Sequence, residues 1–160
     1  MAEEWGSIVI KASQTTTDLF GSGNAIEGLE KLAIEAGLDT KVLNRGLGVI
    51  EDVSTKDGYI QLSYDCSEWV RVSEAFVSKG EGIEYYARHG DEYGTLSFLA
   101  LTQDGRRVGF EFDQDGDAME EEGYRERIIG QINEWKAIIP ESVKITFPKF
   151  ADVNAEEIVF

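Results

Sequence analysis

Residues 95–113 read TLSFLALTQDGRRVGFEFD, and this stretch predicts two adjacent antiparallel strands. Residues 95–102 are mostly apolar at successive positions, which is typical of a central strand that is buried on both faces. In residues 106–113 apolar and polar side chains alternate, which predicts a strand with one exposed face. The turn Gln103-Asp104-Gly105 has the composition of a hairpin connection, so the two strands are expected to pair.

Similar patterns on either side of this hairpin predict the remaining elements. Further strands are expected at residues 5–10, 47–53, 59–65, 83–88 and 143–147. Apolar residues at helical spacing predict helices at residues 24–36, 67–80 and 118–138, and Pro140 is expected to end the last one. Residues 13–18 read as a polar connection, and residues 151–160 as either a short helix or a loose end.

The short turns between strands indicate the fold class. The turns Lys56-Asp57-Gly58 and Gln103-Asp104-Gly105 are both too short to connect parallel strands, so they favour antiparallel pairing. We therefore expect an α+β fold with an antiparallel or mixed sheet of about six to seven strands and three helices packed largely on one face. No linker rich in proline or glycine divides the chain, which predicts one domain over residues 1–160.

Composition predicts a cytoplasmic globular protein. Apolar residues make up 42% of the 160 residues, which is enough for a substantial core. Neither a secretory leader nor an apolar run long enough to span a membrane is visible in the sequence. The single cysteine, Cys66, cannot form an internal disulfide and is expected to serve as small apolar filler in a reducing compartment.

The charge of the chain bears most directly on function. Its 31 acidic and 15 basic residues give a net charge of −16, which disfavours binding to nucleic acid and to anionic membranes. The same field attracts basic proteins and accelerates their encounter, so a basic protein is the expected partner. The alternative is that the charge serves solubility alone.

Acidic residues are concentrated after the hairpin. Between Glu111 and Glu126 the only basic residue is Arg125. Helix capping and the helix dipole are expected to involve the acids nearest the last helix, Asp117, Glu120, Glu121 and Glu122. The other acids have no such role, which predicts a partner-binding site. The full predicted set is Glu111, Asp113, Asp115, Asp117, Glu120, Glu121 and Glu122, together with Asp91 and Glu92.

The same segment resembles a calcium loop only in part. The alternate carboxylates of Asp113, Asp115 and Asp117 could converge on a hard cation. An EF-hand loop counted from Asp113 needs glycine at its sixth position and glutamate at its twelfth, where this chain has Ala118 and Tyr124. We therefore predict no metal site and no cofactor.

Catalytic patterns are weak throughout the sequence. The only histidine, His89, is expected to be a solvated residue in a loop between strands, with no partner at a motif spacing. Nothing beside Cys66 marks it as a reactive thiol. Trp69 and Trp135 lie on apolar helix faces and are expected in the core. The sequence therefore predicts a protein that is not an enzyme.

In size, charge and lack of catalytic motifs, with the acidic segment that includes Glu111, Asp113 and Glu120, the chain resembles the small acidic immunity proteins of bacteria. The resemblance implies a cytosolic inhibitor that occludes a basic toxin, such as a nuclease, and it assigns no roles to individual residues. Two alternatives stay open. One is a DNA mimic that blocks a restriction or defence enzyme, and the other is an enzyme or ligand-binding domain of an unrecognised family.

Overall fold

Six strands and five helices lie within the part of the chain that the computed structural model describes, which is residues 4–39, 50–65, 84–91, 94–102, 104–113 and 120–154. The strands are β1 (Glu4–Lys11), β2 (Ile50–Lys56), β3 (Tyr59–Tyr64), β4 (Tyr85–Asp91), β5 (Thr95–Leu101) and β6 (Arg107–Asp113). The helices are α1 (Gln14–Gly21), α2 (Ala25–Glu35), α3 (Tyr124–Ile138), α4 (Glu141–Thr146) and α5 (Pro148–Ala151).

The strands form a single antiparallel sheet in the order β2-β3-β1-β4-β5-β6. Asp57 and Gly58 join β2 to β3 with φ values of 54° and 81°, the left-handed conformation that a tight hairpin turn requires. The predicted hairpin of β5 and β6 is also present, and β5 lies between β4 and β6 as expected of a central strand. The α+β class and the antiparallel sheet are therefore confirmed.

Helices cover both faces of the sheet, whereas the sequence led us to expect them largely on one. In β1, Ile8 and Ile10 pack with α1 and α2 on what we call the first face, and Val9 packs with α3, α4 and α5 on the second face. The physical reason is that apolar residues at successive positions of a central strand point to opposite faces, so both faces need cover.

Helix α1 replaces the polar connection expected at residues 13–18. The Ser13 hydroxyl caps this helix by accepting a hydrogen bond from the Thr16 backbone N–H at 3.2 Å. Thr16 and Thr17 are buried, and their hydroxyls donate to the Glu35 carboxylate at 2.7 Å and to the Ser13 carbonyl at 3.0 Å. Because these bonds satisfy the buried hydroxyls, a polar segment can form a helix against the sheet.

The predicted strand at residues 143–147 is wrong, because this segment is helical. Val143, Phe147 and Phe150 recur at helical spacing through α4 and α5, and all three are buried on the second face. Ile145 would share a face with Val143 in a strand, but it is 70% exposed here. The strand prediction failed because Val, Ile and Phe at alternate positions over so few residues fit both the strand repeat of two residues and the helical repeat of about 3.6 residues.

This correction predicts opposite outcomes for two neighbouring apolar residues. We expect Val143→Ala to lower the free energy of unfolding by about 2 kcal/mol, because Val143 is fully buried. We expect Ile145→Ala to change it by less than about 0.5 kcal/mol. Urea unfolding of the two variants measures both values, and equal losses would contradict the helical assignment.

The other predicted elements agree with the structure apart from their ends. Helix α2 ends before Gly37, whose φ of 70° closes it as expected. Strands β2 and β4 each extend three residues further toward the C-terminus than predicted, and Pro140 follows the end of α3. The helix predicted at residues 67–80, which includes Trp69, and most of the tail at residues 151–160 lie outside the described residues, as does Cys66.

Candidate functional site

Strand β6 presents two of the predicted site residues to solvent. It is the last strand of the sheet, and its residues Glu111 and Asp113 are exposed on the first face. Helix α1 packs over β2 and β3, at the opposite edge of the sheet. The Glu111 carboxylate accepts a hydrogen bond of 2.9 Å from the Ser97 hydroxyl on β5, which orients it on the strand surface.

Strand register brings further carboxylates to the same end of the sheet. Asp91 pairs with Glu4 on β1, and Asp113 pairs with Thr95 on β5, the strand that also adjoins β4. Neighbouring strands are about 4.8 Å apart, so register places Glu4, Asp91 and Asp113 in a row across the first face, with the backbones of Asp91 and Asp113 about 10 Å apart. The sequence did not indicate Glu4, because its place in the row depends on the pairing of β1 with β4.

Asp91 also has a structural role. Its Oδ1 accepts a hydrogen bond of 3.0 Å from the Thr95 backbone N–H, which stabilises the connection between β4 and β5. One oxygen of this carboxylate is therefore used in folding. Glu92, Asp115 and Asp117, which belong to the predicted set, lie outside the described residues.

Glu120, Glu121 and Glu122 are exposed immediately before α3. The prediction that Glu120 caps this helix is wrong, because α3 begins later, at Tyr124, and its N-cap is Gly123 with a φ of 80° and no side-chain hydrogen bond. Tyr124 packs on the second face, so these glutamates precede a helix that covers the face opposite to Glu111 and Asp113. Exposed acidic side chains therefore lie at the end of β6 and in the segment just before α3.

We call Glu111, Asp113, Glu120, Glu121 and Glu122 the acidic edge. All five side chains are exposed at the surface and belong to neither core cluster. Exposed carboxylates of this kind steer and orient a positively charged surface, and they carry out no chemistry by themselves.

The prediction that His89 is a solvated loop residue is wrong. His89 lies in β4 on the first face, is only 3% exposed, and its Nδ1 is hydrogen bonded to the Tyr64 hydroxyl on β3. Burial lowers the pKa of His89 to about 4, because the charged imidazolium loses its hydration. A neutral histidine buried beside a tyrosine serves the packing of the sheet.

Buried His89 predicts a loss of stability in weak acid. Well above pH 6.5 the imidazole is neutral in both the folded and the unfolded chain, and as the pH falls through 6.5 the unfolded chain takes up a proton first. Between pH 7 and pH 5 we expect this difference to cost about 2 kcal/mol, and the loss continues until it levels off below the folded pKa of about 4.

The control for this prediction is His89→Gln, which removes the titrating group. Urea unfolding at each pH should show that the free energy of unfolding of the wild type falls by about 2 kcal/mol more than that of the variant. The comparison cancels the titration of the many carboxylates. Parallel curves for the two proteins would show that His89 is not the group responsible.

Other classes of site have little support within the described ranges. No group of three His, Cys, Asp or Glu side chains there is arranged to hold a metal ion. No helix in the same ranges is both long enough and apolar enough to span a membrane. Comparisons with protein-family models, with curated proteins and with solved structures found no match.

Proposed function

We propose that this chain is a binding protein that occludes a basic protein, as an immunity protein occludes a toxin nuclease. The observation that carries the proposal is the exposure of the whole acidic edge, in a chain whose net charge is −16. Exposed carboxylates attract a positively charged partner surface from a distance and so accelerate its encounter with the chain.

The placement of the acidic edge favours a protein partner over general solubility. Glu111 is oriented by Ser97, and it is flanked on the same face by Asp113 and by the row that Asp91 and Glu4 complete. Charges that serve solubility alone need no such arrangement, whereas charges that recognise a partner benefit from being held in place. The proposal therefore assigns recognition to the β6 end of the sheet.

The first experiment isolates the partner and measures how its association depends on salt. The purified chain, attached to a resin, captures partners from the cytosol of its source, and the partner is then expressed alone for stopped-flow kinetics. We expect the association rate constant to fall by at least about tenfold between low and high salt, because screening weakens the attraction between charged surfaces.

Two results would contradict the proposal. A partner of acidic or neutral character, bound at a rate that salt does not change, would exclude electrostatic occlusion. The second result is a DNA-binding partner that duplex DNA displaces from this chain in direct competition. If that partner also contacts this chain well beyond the acidic edge, the DNA-mimic alternative is favoured.

A further inference from the structure

A small cleft lies at the end of the sheet opposite to the acidic edge. Tyr86 in β4 and Glu84, which lies just before β4, are part of its lining. Thr102 and Arg106 line it from the β5–β6 connection, and Pro140 lines it from just after α3. Its volume is about 280 Å³, which is room for roughly nine water-sized groups. The cleft can therefore hold a small molecule but not a folded segment of a partner.

Tyr86 contributes an unsatisfied polar group to the cleft. Its side chain is fully buried, and its hydroxyl has no hydrogen-bond partner among the described residues. Burial, together with the nearby Glu84 carboxyl, raises the pKa of the Tyr86 hydroxyl above its ordinary value, so the group stays protonated. A buried hydroxyl without a partner is unfavourable, and a ligand in the cleft would relieve it.

Glu84 contributes a buried carboxyl without a cation. It is 9% exposed, and its Oε2 accepts a hydrogen bond of 2.6 Å from the Tyr59 hydroxyl. The ion pairs found in the described residues join Arg88 to Asp152 and Lys144 to Glu141, and neither involves Glu84. Buried carboxylates are normally paired with a positive group, so this position is suited to a cation from outside the chain.

We propose that this cleft binds a small molecule that carries one primary ammonium group. The three N–H donors of the ammonium match acceptors that line the cleft, among them the Glu84 carboxylate, the Tyr86 hydroxyl and the Thr102 hydroxyl. Ile138 and Pro140 offer an apolar wall for a short alkyl chain. Asp104 and Arg106 also line the cleft with opposite charges, so Glu84 leaves it with one net negative charge, which favours a ligand with a single positive charge.

This inference is independent of the proposed partner surface. The cleft contains no member of the acidic edge and lies at the end of β6 that begins with Arg107, whereas Asp113 ends that strand. Loss of ammonium binding would leave partner binding intact, and the reverse also holds.

The test is a titration with n-butylammonium chloride at constant ionic strength, followed by NMR. We expect saturable shifts of the Glu84, Tyr86 and Thr102 amides with a dissociation constant of about 1 mM, which is ordinary for so small a ligand. Glu84→Gln should weaken binding by at least about tenfold, because a neutral amide replaces the carboxylate. Tyr86→Phe should weaken it by about threefold to tenfold.

The matched control is Glu111→Gln, which removes the same charge from the acidic edge and should leave the affinity unchanged. Tyr86→Phe removes an unpartnered hydroxyl and is expected to fold, so it keeps the test valid if Glu84→Gln does not. Equal shifts with tetramethylammonium, or equal losses in Glu84→Gln and Glu111→Gln, would overturn the proposal. Much tighter binding of a lysine whose backbone amino and carboxyl groups are both blocked would also overturn it. The ligand of the cleft would then be a lysine side chain of a protein.

Discussion

Replacing Trp135 with alanine is expected to lower the free energy of unfolding by about 3–5 kcal/mol. Trp135 is fully buried at the centre of the second face, where its ring centroid lies 4.9 Å from that of Phe98 and 5.6 Å from that of Phe150. Its Nε1 also donates a hydrogen bond of 3.2 Å to the Leu99 carbonyl on β5. Truncation would leave a large cavity between α3 and the sheet and would remove this hydrogen bond.

Trp5→Ala provides a control of the same residue type. Trp5 is 40% exposed, and the Arg88 guanidinium lies 5.3 Å from its ring centroid. We expect this change to cost about 1 kcal/mol, which is in the range of a partly exposed cation–π contact and its packing. Urea unfolding of both variants would contradict the assigned core if Trp5→Ala proved as costly as Trp135→Ala.

Neutralising the acidic edge is expected to weaken partner binding by about 100-fold to 1000-fold, or about 3–4 kcal/mol. The variant carries Glu111→Gln, Asp113→Asn, Glu120→Gln, Glu121→Gln and Glu122→Gln. Its stability should stay within about 1 kcal/mol of the wild type, because the changed side chains are exposed. Calorimetry with the isolated partner measures the affinity, and urea unfolding confirms that the variant is folded.

The matched control neutralises five exposed acids elsewhere on the protein. It carries changes at Glu27, Glu30, Glu51, Asp52 and Glu134, which lie on α2, β2 and α3. The net charge is the same in both variants, so any difference in affinity comes from position. We expect the control to lose less than about fivefold in affinity. An equal loss would show that total charge governs binding and that the acidic edge has no special role.

Much of the fold could be predicted from the sequence because the hairpin turns are encoded locally. Gly58 and Gly105 adopt φ values of 81°, which other residues disfavour, so the turn sequences predict the strand pairs they join. The short helix α4 could not be distinguished from a strand, because the four-residue spacing of Val143 and Phe147 fits both the helical repeat and the strand repeat. Its assignment depends on packing with α3, which is tertiary information.

The site was predictable only in part, for a related reason. Alternation along β6 correctly predicted that Glu111 and Asp113 are exposed, because that pattern lies within one strand. Glu4 and Asp91 join them through strand register, which involves residues far apart in the sequence. His89 was misplaced because Arg88, Gly90 and Asp91 around it suggested a polar loop, whereas β4 continues through all of them.

Carboxyl footprinting of the complex with its partner is the direct test of the claim that the acidic edge forms the binding surface. Exposed carboxylates are labelled with glycine ethyl ester and a carbodiimide, with and without the partner, and the modified residues are read by mass spectrometry. We predict strong protection of Glu111, Asp113, Glu120, Glu121 and Glu122, with unchanged labelling of Glu27, Glu30 and Glu51. Protection of the α2 and β2 acids, with the acidic edge labelled as in the free protein, would contradict the claim.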